Sequence, residues 1–264
     1  MFTKRILFLA AAVFAFSFTS CQQEEDIASE NEVSPLTLAK IAKLGFNTQQ
    51  VEQVEDGYVV EGDIFLSNAD LNTSFKELAL RVGESEQYRT NNLVAAPRTI
   101  RISISNQLPS SYVAALDEAI ARYNAEGLSL SFQRVSSKGD ISLTKAPRTA
   151  SYLASAGFPS GGKPYSSVKI NSSYLGSNPG TNYLATIIAH EIGHCIGFRH
   201  TDYMDRSYSC GGSFYNEGAS SVGAVHIPGT PTGPDANSWM LACIGNGVNR
   251  PFNNNDKTAL DYIY

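Results

Sequence analysis

Residues 190–200 read HEIGHCIGFRH and hold three of the four histidines of the chain. His190 and His194 are four apart. On a helix such residues share one face, one turn apart along the axis. Their imidazoles can therefore reach one zinc ion through nitrogens at roughly 2.0–2.1 Å. Glu191 lies about 100° further round that helix, poorly placed as a ligand and well placed to reach a water beside the metal. Gly197 can adopt a left-handed conformation and end the helix. The chain can then turn and bring His200 to the metal from another side. Three neutral histidines leave the fourth tetrahedral position to water, which marks a catalytic site rather than a closed structural one. Glu191 points the same way, since a structural site has no use for a base there. The expected chemistry is hydrolysis. Zinc lowers the pKa of water from about 16 to about 7, Glu191 acts as general base, and the ion stabilises the developing oxyanion.

Two amphipathic helices must position these groups. TNYLATIIAHEIGHCIGF, 181–198, carries the histidines and places Leu184, Ile187, Ile188, Ile192, Cys195 and Ile196 at helical spacing. SSYVAALDEAIARYNAEG, 110–127, reads as a second helix, capped at its start and closed by Gly127. TIRISISNQL, LSLSFQRVSS and DISLTKAP alternate like strands. SYLASAGFP and SSVKINSSYL read as two more strands, with the turn PSGGKP between them. After His200 the chain is rich in Gly, Ser, Asn and Pro until NNNDKTALDYIY, read as a terminal helix. This order predicts an α/β or α+β layered domain.

HEIGHCIGFRH fits the pattern HExxHxxGxxH and so resembles the metzincin zinc endopeptidases. The spelling HEIGH, followed by CIGFRHTD, is most similar to the bacterial HEIGH metallopeptidase family. The resemblance covers roughly residues 99–264. It implies an α+β, metzincin-like zincin domain with a twisted, mostly parallel sheet, two main helices and an irregular C-terminal subdomain. It also implies a methionine turn beneath the zinc, for which SWM at 238–240 supplies Met240. The implied cofactor is one catalytic Zn2+ held by His190, His194 and His200, with Glu191 as base. The implied substrate is a protein or peptide lying extended along an edge strand within 155–170. The pocket for the residue after the scissile bond is expected between His200 and Met240, including 223–233; His226 there reads as a surface histidine. Two departures stand out. Thr201 follows the third histidine where better-known metzincins carry Ser, Glu, Asp or Pro, so their specificities do not transfer. Ala242 stands where some metzincins place a zinc-ligating tyrosine; Tyr203 is the nearby candidate to replace it.

The N-terminus reads as an export signal. Lys4 and Arg5 precede the apolar run ILFLAAAVFAFSF, too short for a bilayer-spanning helix of roughly 20 residues. The segment ends FTSC, which resembles a bacterial lipobox with Cys21 as the lipidated residue. This divides the chain into a signal peptide (1–20), an acidic tether (21–34), an N-terminal pro-like region (35–98) and a catalytic domain (99–264). The product is expected to be exported, as an outer-membrane or cell-surface lipoprotein anchored through Cys21, or secreted. In the pro-like region LTLAKIAKLGF reads as a helix, YVVEGDIFL as strand-like and NADLNTSFKELALRV as a short helix. VEGDI, 60–64, resembles the FxGD segment of astacin propeptides, whose aspartate occupies the open zinc position. Asp63 is then either a latency ligand, relieved by cleavage between Arg81 and Arg98, or part of a Gly-Asp turn that ends a strand.

Composition sets the outer limits. The net charge of -5 provides no broad basic surface, so nucleic acid is not an expected partner, and a monomer is expected. Structural calcium is chemically allowed among the Asp- and Asn-bearing loops, though no spacing singles out a site. An oxidising compartment permits a disulfide. Cys195 reads as core, and Cys210–Cys243 is the favoured pair, although sequence does not fix connectivity. The rival function is a surface binding or adhesion lipoprotein with an inactive metal site, and the intact set of three histidines with Glu191 favours the enzyme.

Overall fold

The computed structural model of the chain describes residues 33–72, 87–231 and 234–264. The expected signal segment, Cys21, nearly all of the tether and the part of the 68–82 helix beyond Asn72 lie outside the described residues.

The N-terminal elements are small and local. Helix α1 (Pro35–Lys43) starts with proline at its first position and is capped by Ser34, whose side chain accepts from the Thr37 amide. The stretch expected as one strand, YVVEGDIFL, is a hairpin. Strands β1 (Glu52–Val54), β2 (Gly57–Val60) and β3 (Ile64–Ser67) form an antiparallel sheet in that order. The chain reverses at Glu61 and Gly62, both at positive φ (54° and 88°), so Val60 faces Ile64 across the turn. Val60, Ile64 and Leu66 pack with Ile41, Leu44 and Phe46 into a small core of their own.

A second strand group begins with β4 (Tyr88–Arg89) and β5 (Arg98–Ile104). In β5 the alternation read from sequence holds: Ile100 and Ile102 are buried while Thr99 and Arg101 face solvent. Helix α2 (Ser111–Ala125) follows, then β6 (Leu130–Val135), β7 (Ile141–Lys145), β8 (Ala154–Ser155), β9 (Ser167–Ile170) and a short helix α3 (Ser172–Leu175). The sheet order is β6-β5-β7-β9-β8, parallel throughout except at β8, which pairs antiparallel with β9 and forms the edge. The fold is thus mixed α/β with a mostly parallel sheet. Two expectations change. SYLASAGFP keeps only the two residues of β8 as strand. The start of α2 has no side-chain cap from Ser110.

Helix α4 (Thr181–Ile196) carries the histidine motif and is buried on nearly every face. It packs against α2, where the buried Tyr123 hydroxyl donates to the Ala189 carbonyl at 2.7 Å. Gly197 closes α4 at φ 116°: its amide bonds the His194 carbonyl, and the Phe198 amide bonds that of Gly193. A Cβ at 197 would also lie 2.9 Å from the Asn92 carbonyl oxygen, so only glycine fits this corner.

The remainder holds α5 (Ser207–Cys210), β10 (Val225–His226), which pairs with β4, and α6 (Asn254–Ile263). Cys210 and Cys243 are joined in a disulfide, and Cys195 is free and buried. Gln87, Tyr88 and Val94, from the span assigned to the pro-like region, are buried in the main unit; Val94 lies in its apolar core, and the Arg199 amide bonds the Tyr88 carbonyl at 2.8 Å.

Asp256 opens α6 in a capping box with Asn253. It is fully buried and also accepts from Gln87 (2.6 Å) and the Trp239 amide (3.2 Å). Burial pushes its carboxyl from 3.8 up to about 7, against the pull of these hydrogen bonds. A folded-state pKa above the unfolded one stabilises fully at low pH, and that contribution is lost as pH rises from about 4 through about 7. The parent should therefore lose stability relative to Asp256→Asn across that window, measured by thermal midpoints at its two ends. A difference between the two proteins that stays constant with pH would remove Asp256 from this role.

Candidate metal centre

Three imidazole nitrogens converge. Nε2 of His194 lies 3.0 Å from Nε2 of His190 and 3.2 Å from Nε2 of His200. The other nitrogen of each ring is bonded to an oxygen. Nδ1 of His190 donates to the Trp239 carbonyl (2.8 Å), that of His194 to the Phe198 carbonyl (2.9 Å), and that of His200 to Glu217 Oε1 (2.8 Å). Because carbonyl and carboxylate oxygens accept, each Nδ1 carries a proton and each Nε2 can offer a lone pair. Lone pairs gathered this closely repel unless a cation lies among them. A tetrahedral ion with bonds of 2.0–2.1 Å sets its ligand atoms about 3.3 Å apart, close to the spacing here. The oxygen partners on Nδ1 are the usual means of orienting metal-bound histidines.

Asp63 completes the group. Its Oδ2 lies 3.1 Å from His200 Nε2 and 3.4 Å from His190 Nε2, while Oδ1 is 4.0 Å from His194 Nε2. Among the described residues, the set of potential metal ligands is Asp63, His190, His194 and His200, all within 4.8 Å of one another. The three histidines taken from sequence are thus brought together, and Asp63 joins them from the β2–β3 turn.

The electrostatics favour positive charge at this point. Burial pushes His194 down, helped by its two histidine neighbours. Burial works against charge on His200 as well, but Asp63 and Glu217 outweigh it and hold it above the ordinary histidine range. Burial likewise opposes ionised Asp63, yet His200, with His190 and His194 beside it, keeps it well below the usual carboxylate range. A proton or a metal ion would satisfy the same field.

Glu191 is buried one residue beyond His190, and its Oε2 has no hydrogen-bond partner among the described residues. Burial, and then repulsion from Asp63, pushes its carboxyl well above the usual range. A buried, unpartnered carboxylate is unfavourable unless something occupies the space beside it. Together with the convergent nitrogens, this orphaned oxygen fits a hydrolytic metal site.

Met240 is fully buried beneath α4. Its carbonyl accepts from Thr201, and its amide is held by Ser238 Oγ at 3.1 Å. Asp202 accepts from the Ala242 amide (2.9 Å) and Ser209 Oγ (2.6 Å), tying the loop after His200 to the turn around Met240. Tyr203 stacks edge-on against Tyr88. His226 bonds Thr230 and is not among the metal-group residues. Among the described residues, 223–231 do not line the cavity beside His190 and Glu191. Its wall includes Ser151–Ala154, part of α4, Arg206, Trp239, 241–244 and Arg250.

Three participants gave no sequence signal. Glu217 lies in an aperiodic Gly- and Ser-rich stretch, yet it holds His200 and also meets Arg206 Nε at 3.2 Å. Glu61 and Arg199 form a buried ion pair at 3.0 Å across 138 residues. Arg199 also donates to the Ala219 carbonyl at 2.7 Å.

Gly193, inside HEIGH, faces the methionine: a Cβ there would lie 2.5 Å from Met240 Sδ and 3.2 Å from Trp239 Nε1. Helix propensity alone would favour alanine by about 1 kcal/mol. Overpacking costs about 1–3 kcal/mol and displaces the segment whose Trp239 carbonyl orients His190. Gly193→Ala should lower both the thermal midpoint and the metal affinity, read by calorimetry and by metal titration. A variant more stable than the parent would show that the methionine moves aside freely.

No curated protein matches the chain. Two solved structures of myroilysin are similar at 13% and 12% identity, with TM-scores of 0.42 and 0.41. They cover 64% and 63% of this chain, and the matches span 81% and 83% of theirs. A family model described as dual-action HEIGH metallo-peptidase matches residues 58–264. The chain belongs to that family and is a metallopeptidase.

Proposed function

We propose that the protein is an exported zinc endopeptidase, made as a latent precursor. The observation that carries the hydrolytic reading is the meeting of three Nε2 atoms beside the unpartnered carboxylate oxygen of Glu191. His190, His194 and His200 would hold the zinc. When bound, the ion acidifies water and polarises the scissile carbonyl. Glu191 accepts the proton of the attacking water and returns it to the leaving amine. The carbonyls of Trp239 and Phe198 and the Glu217 carboxylate keep the three rings in register through the cycle. Met240 underlies this set as the methionine turn.

Latency rests on Asp63. A carboxylate is a competent zinc ligand, and this one fills the direction a water would need. The β3 segment is fixed there by backbone bonds to the edge of the sheet: the Ala156 amide bonds the Asp63 carbonyl (3.0 Å), and the Phe65 amide bonds the Ala156 carbonyl (2.8 Å). An extended substrate would need the same edge. Glu61 anchors the turn on Arg199. Because Gln87 and Tyr88 are fully buried and Tyr88 bonds Arg199, an activating cut that frees Asp63 fits best between Arg81 and Gln87. Export and the Cys21 anchor rest on the sequence of the first 21 residues.

Glu191→Gln should retain the metal, by elemental analysis, and lose about 10²- to 10⁴-fold in peptide hydrolysis. Turnover near the parental rate would take Glu191 out of the reaction. Asp63→Ala in the full chain should be more active than the full-length parent against one peptide substrate, with chelator abolishing the activity of both. Equal activity of the two uncleaved proteins would leave Asp63 a turn residue only.

A further inference from the structure

Beside the metal centre lies a cavity of about 220 Å³ whose lining includes His190, Glu191, Ile187, Leu241, Ile244 and Arg250. If Glu191 returns the proton to the leaving amine, the residue bearing that nitrogen must lie on the Glu191 side of the centre. The side chain that follows the scissile bond therefore enters this cavity. Ile187, Leu241 and Ile244 supply apolar wall for its methylenes.

Arg250 is the unusual member. It is half-buried. It gives one hydrogen bond through Nη1 to the Cys243 carbonyl (2.8 Å), and its amide bonds Thr186 Oγ1 (3.0 Å). The neighbouring acids are otherwise committed. Asp202 serves the Ala242 amide and Ser209, and Asp256 serves Gln87, Trp239 and Asn253. Both support the charge of Arg250 from a distance, but among the described residues neither forms an ion pair with it. The second arginine of the lining, Arg206, already meets Glu217 at 3.2 Å and lies over the Tyr215 ring. The other charged groups of the lining belong to the metal centre (Asp63, His190, Glu191) or are already paired (Arg206), which leaves a partly desolvated Arg250 guanidinium with unspent donors for an anion.

We infer that this pocket selects an acidic residue, aspartate or glutamate, immediately after the cleaved bond, with Arg250 as the residue that reads its carboxylate. The inference rests on the peptidase reading above and adds to it a substrate class: acidic peptides, cut on the amino side of the acid.

The test uses the full chain, as parent and as Asp63→Ala, on matched peptides differing only in the residue after the scissile bond: Glu, Gln, Leu or Lys. Cleavage positions are read by mass spectrometry. A charge-assisted pair should favour Glu over Gln by roughly ten- to a hundredfold in kcat/KM. Arg250→Met should bring that ratio towards one, and Arg250→Glu should turn the preference towards Lys. Should either variant fail to fold, the Glu-to-Gln ratio of Asp63→Ala decides alone, and a value near or below one overturns the inference. Cleavage without acidic preference sinks this proposal and leaves the peptidase standing. No cleavage of any peptide by metal-loaded Asp63→Ala sinks both.

Discussion

Three nitrogen lone pairs pointed at one spot are the constraint on which the rest of the structure depends. Such a cluster is unfavourable in the absence of positive charge, and here it is enclosed: His194 and His200 are almost completely buried. Neither ring rotation nor solvent can relieve it, because each Nδ1 is bonded to a fixed oxygen. Those oxygens come from three separate places: the turn around Met240, the corner after α4, and the 217 loop. The elements that hold the centre are therefore coupled through it. Displacing any one of them would turn an imidazole away and leave a buried polar group unpaired, a cost of about 1–3 kcal/mol each.

The irregular segment after His200 shows how such positions can be held without regular structure. Backbone groups that lack a sheet or helix partner must find another. Thr201 bonds Met240, Asp202 bonds Ala242, Ser209 accepts from Cys243, and Asp256 takes up Trp239 and Asn253. The Cys210–Cys243 bridge closes the same region covalently. Trp239 packs edge-on between Phe198 and Phe252, so the ring next to Met240 joins the active-site corner to the approach to α6. Rigidity here comes from side chains acting as backbone partners, which is why Ser, Asp and Asn are the residues that recur.

The legible part of this molecule was the local part. The i, i+4 pair, the glycine at the corner and the amphipathic period of α4 all act within a few residues, and the structure places His190, His194 and His200 together. The alternation of β5 followed from pattern as well, and the mostly parallel sheet from the family resemblance. Contacts closed by tertiary folding were not legible. Glu217 reaches His200, and Glu61 reaches Arg199 across 138 residues, with no spacing to announce either. The break of YVVEGDIFL into a hairpin turned on Glu61 taking a positive φ, a conformation few side chains prefer, and the buried pairing with Arg199 supplies the compensation. Of the span between His200 and Met240, Arg206 and Trp239 line the cavity beside the centre, while Val225 and His226 are taken up in β10, which pairs with β4.

That compensation bears on how a turn could serve as a removable plug. A buried ion pair gains little overall, yet removing one partner is costly because the other charge is left stranded. Glu61 is in that position: without Arg199 it would be a carboxylate with no cation, and burial already pushes its pKa up. Arg199 is not. It also has the Ala219 carbonyl and, at 3.6 Å, Glu217. Departure of the hairpin would release Glu61 and Asp63 into water, where both are well solvated. The guanidinium left behind keeps its other partners, and Glu217 still holds His200. The asymmetry leaves the unit that carries the histidines self-sufficient and the turn dependent on it, which is what the proposed latency would require.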